Sequence, residues 1–490
     1  MNEAILEIKD LSFTFPGYPG LDFPELFRDL NLKVEKGEIR VILGKPESGK
    51  TTLSRIITAL IPRYSGGSLS GQVKLDGVEI NGNQPYNLIQ KAGTVFQNPD
   101  EQIITTRCDA EIAFPMESMG WGKKQIAERI DFGLESTGIS HLRYRDPATL
   151  SGGEKRKLLL ASLFAVNPPL WILDETFEEL DPASLRAILK TILSQERTII
   201  IFMTKPPAVL EEHNVKFSIL YKGTLFHKED SPENFKKLMI EEGLLLDPER
   251  YHSIQPYKKR EPLLKIENLS YSYNTAGAFT LEIEHFKLNK GEIISIVGRN
   301  GSGKSTLGKI LCGLLKPDSG QIFAYRESGL SPLDTKNLNA LTGFIFQNPD
   351  YQIFLPTVKE ELSYGLNPDE AAVDKIIELF SLPGKEVPPA LMSYGARKRL
   401  QGAVYYLFEK DLYIVDEADS GLSVEDFASM ITRFHQKGST VLFITHNMEL
   451  SRVFSERVYI MENGSVVQTA DEDSFNLVNG YFAGKIEDQA

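Results

Sequence analysis

The chain is written twice, and no other feature limits its possible folds as tightly. Ile5–Phe15 matches Leu263–Tyr273, Gly37–Gly44 matches Gly291–Gly298, Phe96–Asp100 matches Phe346–Asp350, and Leu173–Glu175 matches Val415–Glu417. The separation of matched segments falls along the chain from 258 to 254, 250 and 242 residues, so each change is a loop-sized deletion in the second copy. Two homologous domains behave this way, whereas a solenoid repeats every ~20–50 residues. At about 150 residues per domain the length alone would predict three units. The repeat predicts two, residues 1–240 and 263–490, with a linker over 241–262 where Gly243, Pro248, Pro256 and the charged run Lys258–Glu261 interrupt the pattern.

Within each copy, β-branched runs alternate with helix-period segments, which predicts an α/β fold with a mostly parallel sheet. The runs are Arg40–Leu43, Trp171–Leu173 and Thr198–Phe202, then Ile293–Val297, Tyr413–Val415 and Thr440–Ile444. After a Gly-rich loop, Leu53, Ile56, Ile57 and Leu60 recur at helical spacing, as do Leu307, Ile310, Leu311 and Leu314, and the spacing predicts helices ended by Pro62 and Pro317.

The loops between these strands and helices are Gly44-Lys-Pro-Glu-Ser-Gly-Lys-Thr51 and Gly298-Arg-Asn-Gly-Ser-Gly-Lys-Ser305, both fitting G-x-x-x-x-G-K-[ST]. Glycines let backbone N–H groups turn toward phosphate, the lysine reaches the outer phosphate oxygens, and the hydroxyl ligates Mg²⁺. Candidate ATP-binding residues are therefore Gly44, Ser48, Gly49, Lys50, Thr51 and Thr52, with Gly298, Asn300, Gly301, Ser302, Gly303, Lys304, Ser305 and Thr306. Further along each copy an apolar strand ends in two acids, Asp174-Glu175 and Asp416-Glu417. Alone such a pair also fits a solvated strand end. Behind a phosphate loop, the first acid suits an indirect Mg²⁺ ligand and the second a general base acting on water.

Leu150-Ser-Gly-Gly-Glu154 stands just ahead of the first acidic pair, followed by Lys155-Arg-Lys157 and an apolar helix. With these parts in this order, the chain resembles the ABC (ATP-binding cassette) ATPases over nearly its whole length. The resemblance implies two P-loop NTPase cassettes, each with a mostly parallel core, an antiparallel β subdomain and a helical subdomain, using ATP and Mg²⁺. It implies cassettes facing head to tail, so that each ATP lies between one phosphate loop and the other copy's signature: Ser151, Gly152, Gly153 and Glu154, or Ser393 and Gly395. It assigns Gln97 and Gln347 to the loop that senses Mg²⁺ and water, making Thr51, Gln97, Asp174, Ser305, Gln347 and Asp416 the Mg²⁺ set. Phe15 and Tyr273 match the aromatic that stacks on adenine, although a core strand aromatic is the other reading of both.

Departures from the family pattern gather on one of the two expected sites. The second phosphate loop has Gln347, Glu417 and a switch histidine, His446, in its own copy, and the regular signature with Asp181 opposite. The first has Gln97 and Glu175, but Lys205 replaces the switch histidine, Glu47 replaces a loop glycine, Tyr394 replaces the first signature glycine, and Ser423 stands where an aspartate is expected. The expectation is that the second site hydrolyses ATP with Glu417 as base and His446 as its aligner. Lys205 cannot accept and donate as a neutral imidazole does, so the first site mainly holds nucleotide, while the retained Glu175 leaves slow turnover open.

Composition narrows what the ATPase can serve. No run approaches the ~18 apolar residues of a membrane span, the N-terminus lacks a signal-peptide pattern, and the formal charge of −13 argues against a chain that coats nucleic acid. Cys108 and Cys312, the only cysteines, have no disulfide or metal-ligand spacing. The block Phe96-Gln-Asn-Pro-Asp100 with Gln102, repeated as Phe346–Asp350 with Gln352, and the segments Glu111–Phe114 and Glu361–Tyr364, resemble energy-coupling-factor transporters, which import vitamins and transition-metal ions. That resemblance implies a peripheral protein on the cytoplasmic face of the cell membrane, partnered by a transmembrane coupling protein and a membrane substrate-binding protein. Fused sugar-importer ATPases and soluble tandem-cassette factors acting on ribosomes are the rival readings. The short join and acidic charge weigh against the ribosomal one.

Overall fold

Strands that are apolar along their whole length can be buried on both faces, and the chain places them at the centre of a parallel sheet in each copy. The computed structural model describes residues 3–16, 25–80, 88, 90–177, 182–204, 210, 213–245, 261–273, 279–299, 301–326, 329–366, 368–417, 421–445 and 447–471. It divides into two units, Met1–Leu245 and Leu246–Ala490. In the first, Ile39–Leu43 pairs in parallel with Thr198–Met203 and Lys216–Tyr221, Leu170–Asp174 and Ala92–Val95 extend the sheet in parallel, and Thr224–His227 closes the far edge antiparallel. The second unit repeats this order around Ile293–Gly298, with Thr440–Ile444, Leu412–Asp416 and Thr342–Ile345 on one side and Arg457–Glu462 and Ser465–Asp471 on the other.

Each unit also carries a four-stranded antiparallel sheet, ordered Phe27–Glu35, Ala4–Thr14, Ser68–Leu75, Val78–Glu79 in the first and Thr280–Asn289, Pro262–Ser272, Ser319–Arg326, Gly329–Pro332 in the second. A helical region completes the cassette. In the first unit Cys108–Ser118, Lys123–Thr137 and Gly152–Val166 enclose a core of their own around Ile112, Met116, Leu134 and Leu158. The second unit's helices Val358–Ser363 and Glu370–Leu379 are shorter, and together with Tyr394–Leu407 they share one core with the sheet, joining Val358 and Leu400 to Tyr413 and Phe434. The fall in repeat offset from 250 to 242 residues lies across this region. The fold is thus α/β, two cassettes each with a parallel core, an antiparallel sheet and helices.

The helices after the phosphate loops stop short of the prolines expected to end them. They run Lys50–Ile57 and Lys304–Leu311, and a left-handed residue turns each chain away: Ala59 at φ 57° and Gly313 at φ 75°. The amides of Leu60 and Leu314 donate back to the Arg55 and Lys309 carbonyls at 2.9 Å, the closing bond of a C-terminal cap. Apolar spacing overran the helix because the capped turn places its own leucine after the last helical residue.

Candidate active sites

Both phosphate loops lead into a helix through a left-handed glycine, Gly49 at φ 101° and Gly303 at φ 99°, which fixes where the helical N–H groups begin. A side chain at Gly303 would strike the Phe279 ring at 2.7 Å, and one at Gly49 the Phe27 ring at 2.9 Å. Lys50 Nζ donates to the Gly44 and Lys45 carbonyls at 2.6 and 2.9 Å, and Lys304 Nζ to those of Gly298 and Arg299, both at 3.0 Å. Each lysine is buried, held over its own loop by the carbonyls that bracket it. The hydroxyls of Ser48 and Ser302 are buried with no hydrogen-bond partner. Unmet donors within a loop of glycines and lysine are the chemistry a polyphosphate supplies acceptors for.

The two acids stand beside each loop. Ser305 Oγ donates to Asp416 Oδ1 at 2.9 Å, tying the candidate metal hydroxyl to the candidate metal carboxylate. Burial, reinforced by the neighbouring Glu417, raises the Asp416 carboxyl to about 6; burial and Glu175 raise Asp174 to about 7, opposed by Thr51 and Lys50. Each therefore gains from an arriving cation. Among the described residues no three His, Cys, Asp or Glu side chains converge. Mg²⁺ keeps several waters and takes few protein ligands. Thr51 with Asp174 and Gln97, and Ser305 with Asp416 and Gln347, are the groups that would hold it.

Glu175 and Glu417 follow their strands with left-handed backbones, φ 46° and 45°, a strained conformation for a residue with a side chain, of the kind that gathers at functional sites. Their amides donate across the sheet to the Phe202 and Ile444 carbonyls at 2.9 and 3.0 Å. Glu175 is paired with Lys50 at 2.9 Å and accepts a very short hydrogen bond from Gln97 Nε2 and a longer one, 3.4 Å, from Thr204 Oγ1. The first unit thus brings together Lys50, Gln97, Asp174 and Glu175. His446, Lys205, Asp181 and Asn300 lie outside the described residues.

Besides Gln97 and Gln347, the other polar positions shared by the two Gln-loop blocks have structural tasks. Gln102 Oε1 accepts from the Phe96 amide at 3.0 Å and its Nε2 donates to the Thr94 carbonyl at 2.9 Å; Gln352 does the same with Phe346 and Phe344 at 3.1 and 2.8 Å. Asn98 and Asn348 cap the turns that follow by accepting from the amides of Asp100 and Asp350. Those aspartates pair with Lys155 at 2.6 Å and Arg397 at 2.8 Å on the signature helices. Glu111 accepts from the Ile104 and Thr105 amides, and Glu361 from Phe354 and Leu355, bracing the segment beyond the loop.

Ser151 begins the first signature helix with a full capping box, its amide donating to Glu154 at 2.8 Å while its hydroxyl accepts from the Glu154 amide. Ser393 keeps the cap but lacks the acid, since Ala396 fills that place. Ser423 caps the helix Val424–Gln436 through Asp426, which gives the serine a local task where an aspartate was expected. Tyr273 is 39 % exposed and its hydroxyl lies 3.1 Å from Thr306 Oγ1, at the mouth of the second phosphate loop; Phe15 packs edge-on against Phe13 at 4.9 Å. Sequence reasoning missed the buried cations Arg156 and Lys398, which reach the Gln97 carbonyl at 3.4 Å and the Glu417 carbonyl at 3.1 Å. The cue was present: each sits five residues past the signature serine.

Two P-loop nucleotide-hydrolase cassettes in tandem, each with a phosphate loop, a strand-end acid pair and a capped signature helix, define the class. The model of the ABC transporter family matches residues 27–178 and 281–420, and the chain belongs to that family, whose ATPases use ATP with Mg²⁺. It is 34 % identical over 489 residues to a Methanosarcina mazei protein provisionally described as an ABC transporter ATP-binding protein, covering 96 % of this chain and 95 % of that one. Among solved structures, one described as RNase-L inhibitor matches with a TM-score of 0.63 at 18 % identity, covering 97 % of this chain and 93 % of that one, a likeness of fold alone. Another, cbiO1 from Clostridium perfringens, described as part of the ABC transporter complex cbiONQ, matches 46 % of this chain and 92 % of its own length at 26 % identity and a TM-score of 0.38.

Proposed function

We propose that the chain is the ATP-hydrolysing subunit of an importer of the energy-coupling-factor type, peripheral to the cytoplasmic face of the membrane, with cassette 2 carrying the faster hydrolysis. The observation that carries the reading is an apolar groove beside the Gln loop of cassette 1. It encloses about 410 Å³ between Phe96, Ile104, Phe114, Leu159 and Leu163, and its rim leaves Ile104 62 % and Phe114 46 % exposed. The matching rim of cassette 2 exposes Phe354 at 65 % and Tyr364 at 58 %. Large apolar side chains exposed at equivalent places in both copies fit a partner helix that covers them. Among the described residues no helix is long and apolar enough to cross a membrane, so the spanning helices belong to partners in this reading.

Bound Mg²⁺ would neutralise charge building on the phosphates. Lys50 and Lys304 release their loop carbonyls to meet phosphate oxygen, Glu417 accepts the proton of the attacking water, and Gln347 reports the site's state through its own loop toward the exposed rim of Phe354 and Tyr364. Closure and reopening of the cassettes then move the partner helices.

The test is recovery of the full-length protein from detergent-solubilised membranes of its own host, with identification of what accompanies it. The reading expects a transmembrane coupling protein and a small membrane substrate-binding protein, lost in Ile104→Glu and Phe354→Glu while ATP binding is retained. Recovery with ribosomes, or partners unaffected by both substitutions, overturns it.

A further inference from the structure

The second signature carries a tyrosine where the first has glycine, and the tyrosine is built into its own cassette. Tyr394 opens the helix Tyr394–Leu407 and its hydroxyl donates to the Gln347 carbonyl at 2.9 Å. The Cδ1–Cε1 edge of its ring lies against Gly421, where a Cβ would come within 2.5 Å of the ring's Cδ1 atom. Lys398, one turn on and 1 % exposed, sits 5.2 Å from the same ring centroid and donates to the Glu417 carbonyl at 3.1 Å. In cassette 1 Gly152 has no side chain to offer, and the Gln97 carbonyl accepts from Arg156, the counterpart of Lys398, at 3.4 Å. In the second copy the tyrosine holds the Gln-loop carbonyl and the lysine holds the strained backbone of Glu417.

We propose that Tyr394 and Lys398 are positioning residues for Gln347 and Glu417 of their own cassette, so that the substitution which removes a signature glycine orders the catalytic loops of cassette 2. This rests on the assignment of Gln347 and Glu417 to hydrolysis. A hydroxyl held on a loop carbonyl, with the ring braced on Gly421, fixes the loop and the following segment to one helix. A buried ammonium on the Glu417 carbonyl also favours the left-handed backbone that aims its carboxylate.

The experiment uses the full chain carrying Glu175→Gln, so that phosphate release reports cassette 2. Tyr394→Phe, which removes one hydroxyl and keeps the ring, is expected to lower kcat roughly three- to tenfold with KM and fluorescent-ATP binding changed less than about twofold. Tyr394→Gly, which rewrites the signature to match the first copy, is expected to lower kcat further. Amide exchange at residues 347–349 is expected to speed up in Tyr394→Phe, with that at 97–99 unchanged. An unaltered kcat and unaltered exchange in Tyr394→Phe, or a gain in kcat in Tyr394→Gly, overturns the inference. Glu417→Gln in the same background separates the two levels: if that variant keeps its rate, the catalytic assignment fails, whereas loss there beside normal rates in Tyr394→Phe sinks the positioning role alone.

Discussion

At the scale of single residues, the two copies keep the same strand-end glutamate, the proposed base, and differ around it. Glu175 and Glu417 share backbone geometry to within a degree of φ, so their difference in function is expected to come from neighbours. Replacing a general base costs about 10²–10⁴ in rate. Glu417→Gln is expected to remove at least about 99 % of steady-state phosphate release and Glu175→Gln less than about half, measured at saturating MgATP; equal losses would mean two equivalent sites. Glu47 is a second contrast. It holds φ 68° and stands exposed where Gly301 holds φ 78°; a Cβ at Gly301 would meet open space, so a side chain has room there but the glutamate carries a strained backbone, and it adds a negative charge to the loop expected to hold phosphates. Like charges near a protein surface repel by about 1 kcal/mol or more at contact distances. Glu47→Gly in a Lys304→Ala background is therefore expected to tighten fluorescent-ATP binding about fivefold, and unchanged affinity would show that the carboxylate turns away.

At the scale of elements, the central strand of cassette 1 buries a cation that its twin does not. Arg40 lies in the middle of the sheet, 7 % exposed along its side chain, paired with Glu38 at 2.7 Å and close to Ser218 and His227 of the edge hairpin. Burial and then Arg40 push the His227 imidazole below its ordinary value, against the weaker pull of Asp230, Glu229 and Glu38. The unfolded chain then binds more protons than the folded one as pH falls below about 6.5, so this group's contribution to stability is present above that pH and lost below it. Urea unfolding of the wild type is expected to shift to lower midpoints between pH 7 and 5, and His227→Gln to flatten that slope; parallel slopes would exclude His227. Elements of this kind mark where the sequence stopped being legible. The paired phosphate loops, the strand-end acids and the parallel order of strands follow from short local patterns. The tasks of Arg156, Lys398 and Arg40 were not legible, because the Gln97 and Glu417 carbonyls and the Ser218 and His227 side chains that they reach come from other segments of the chain. Tyr394 read as a damaged signature for the same reason, since its partners, the Gln347 carbonyl and Gly421, come from two other loops.

At the scale of the whole molecule, duplication within one chain lets each half change without the other, and it also distributes the spectroscopic reporters unevenly. Both tryptophans, Trp121 and Trp171, belong to cassette 1, and Trp171 is fully buried against Phe164. Cassette 2 builds its core on aromatic stacking instead, with Tyr413 and Phe434 face to face at 4.0 Å and 15° and both fully buried. Truncating such a side chain costs about 3–5 kcal/mol in lost contacts and cavity. For a unit of this size each kcal/mol shifts the melting midpoint by about 2–4 °C. Phe434→Ala is expected to split the calorimetric trace, moving the cassette 2 transition down by about 10 °C, while the tryptophan fluorescence midpoint stays within about 2 °C of the wild type. The opposite result, a fluorescence transition that falls in step with the calorimetric one, would show that the two cassettes unfold as a single cooperative unit.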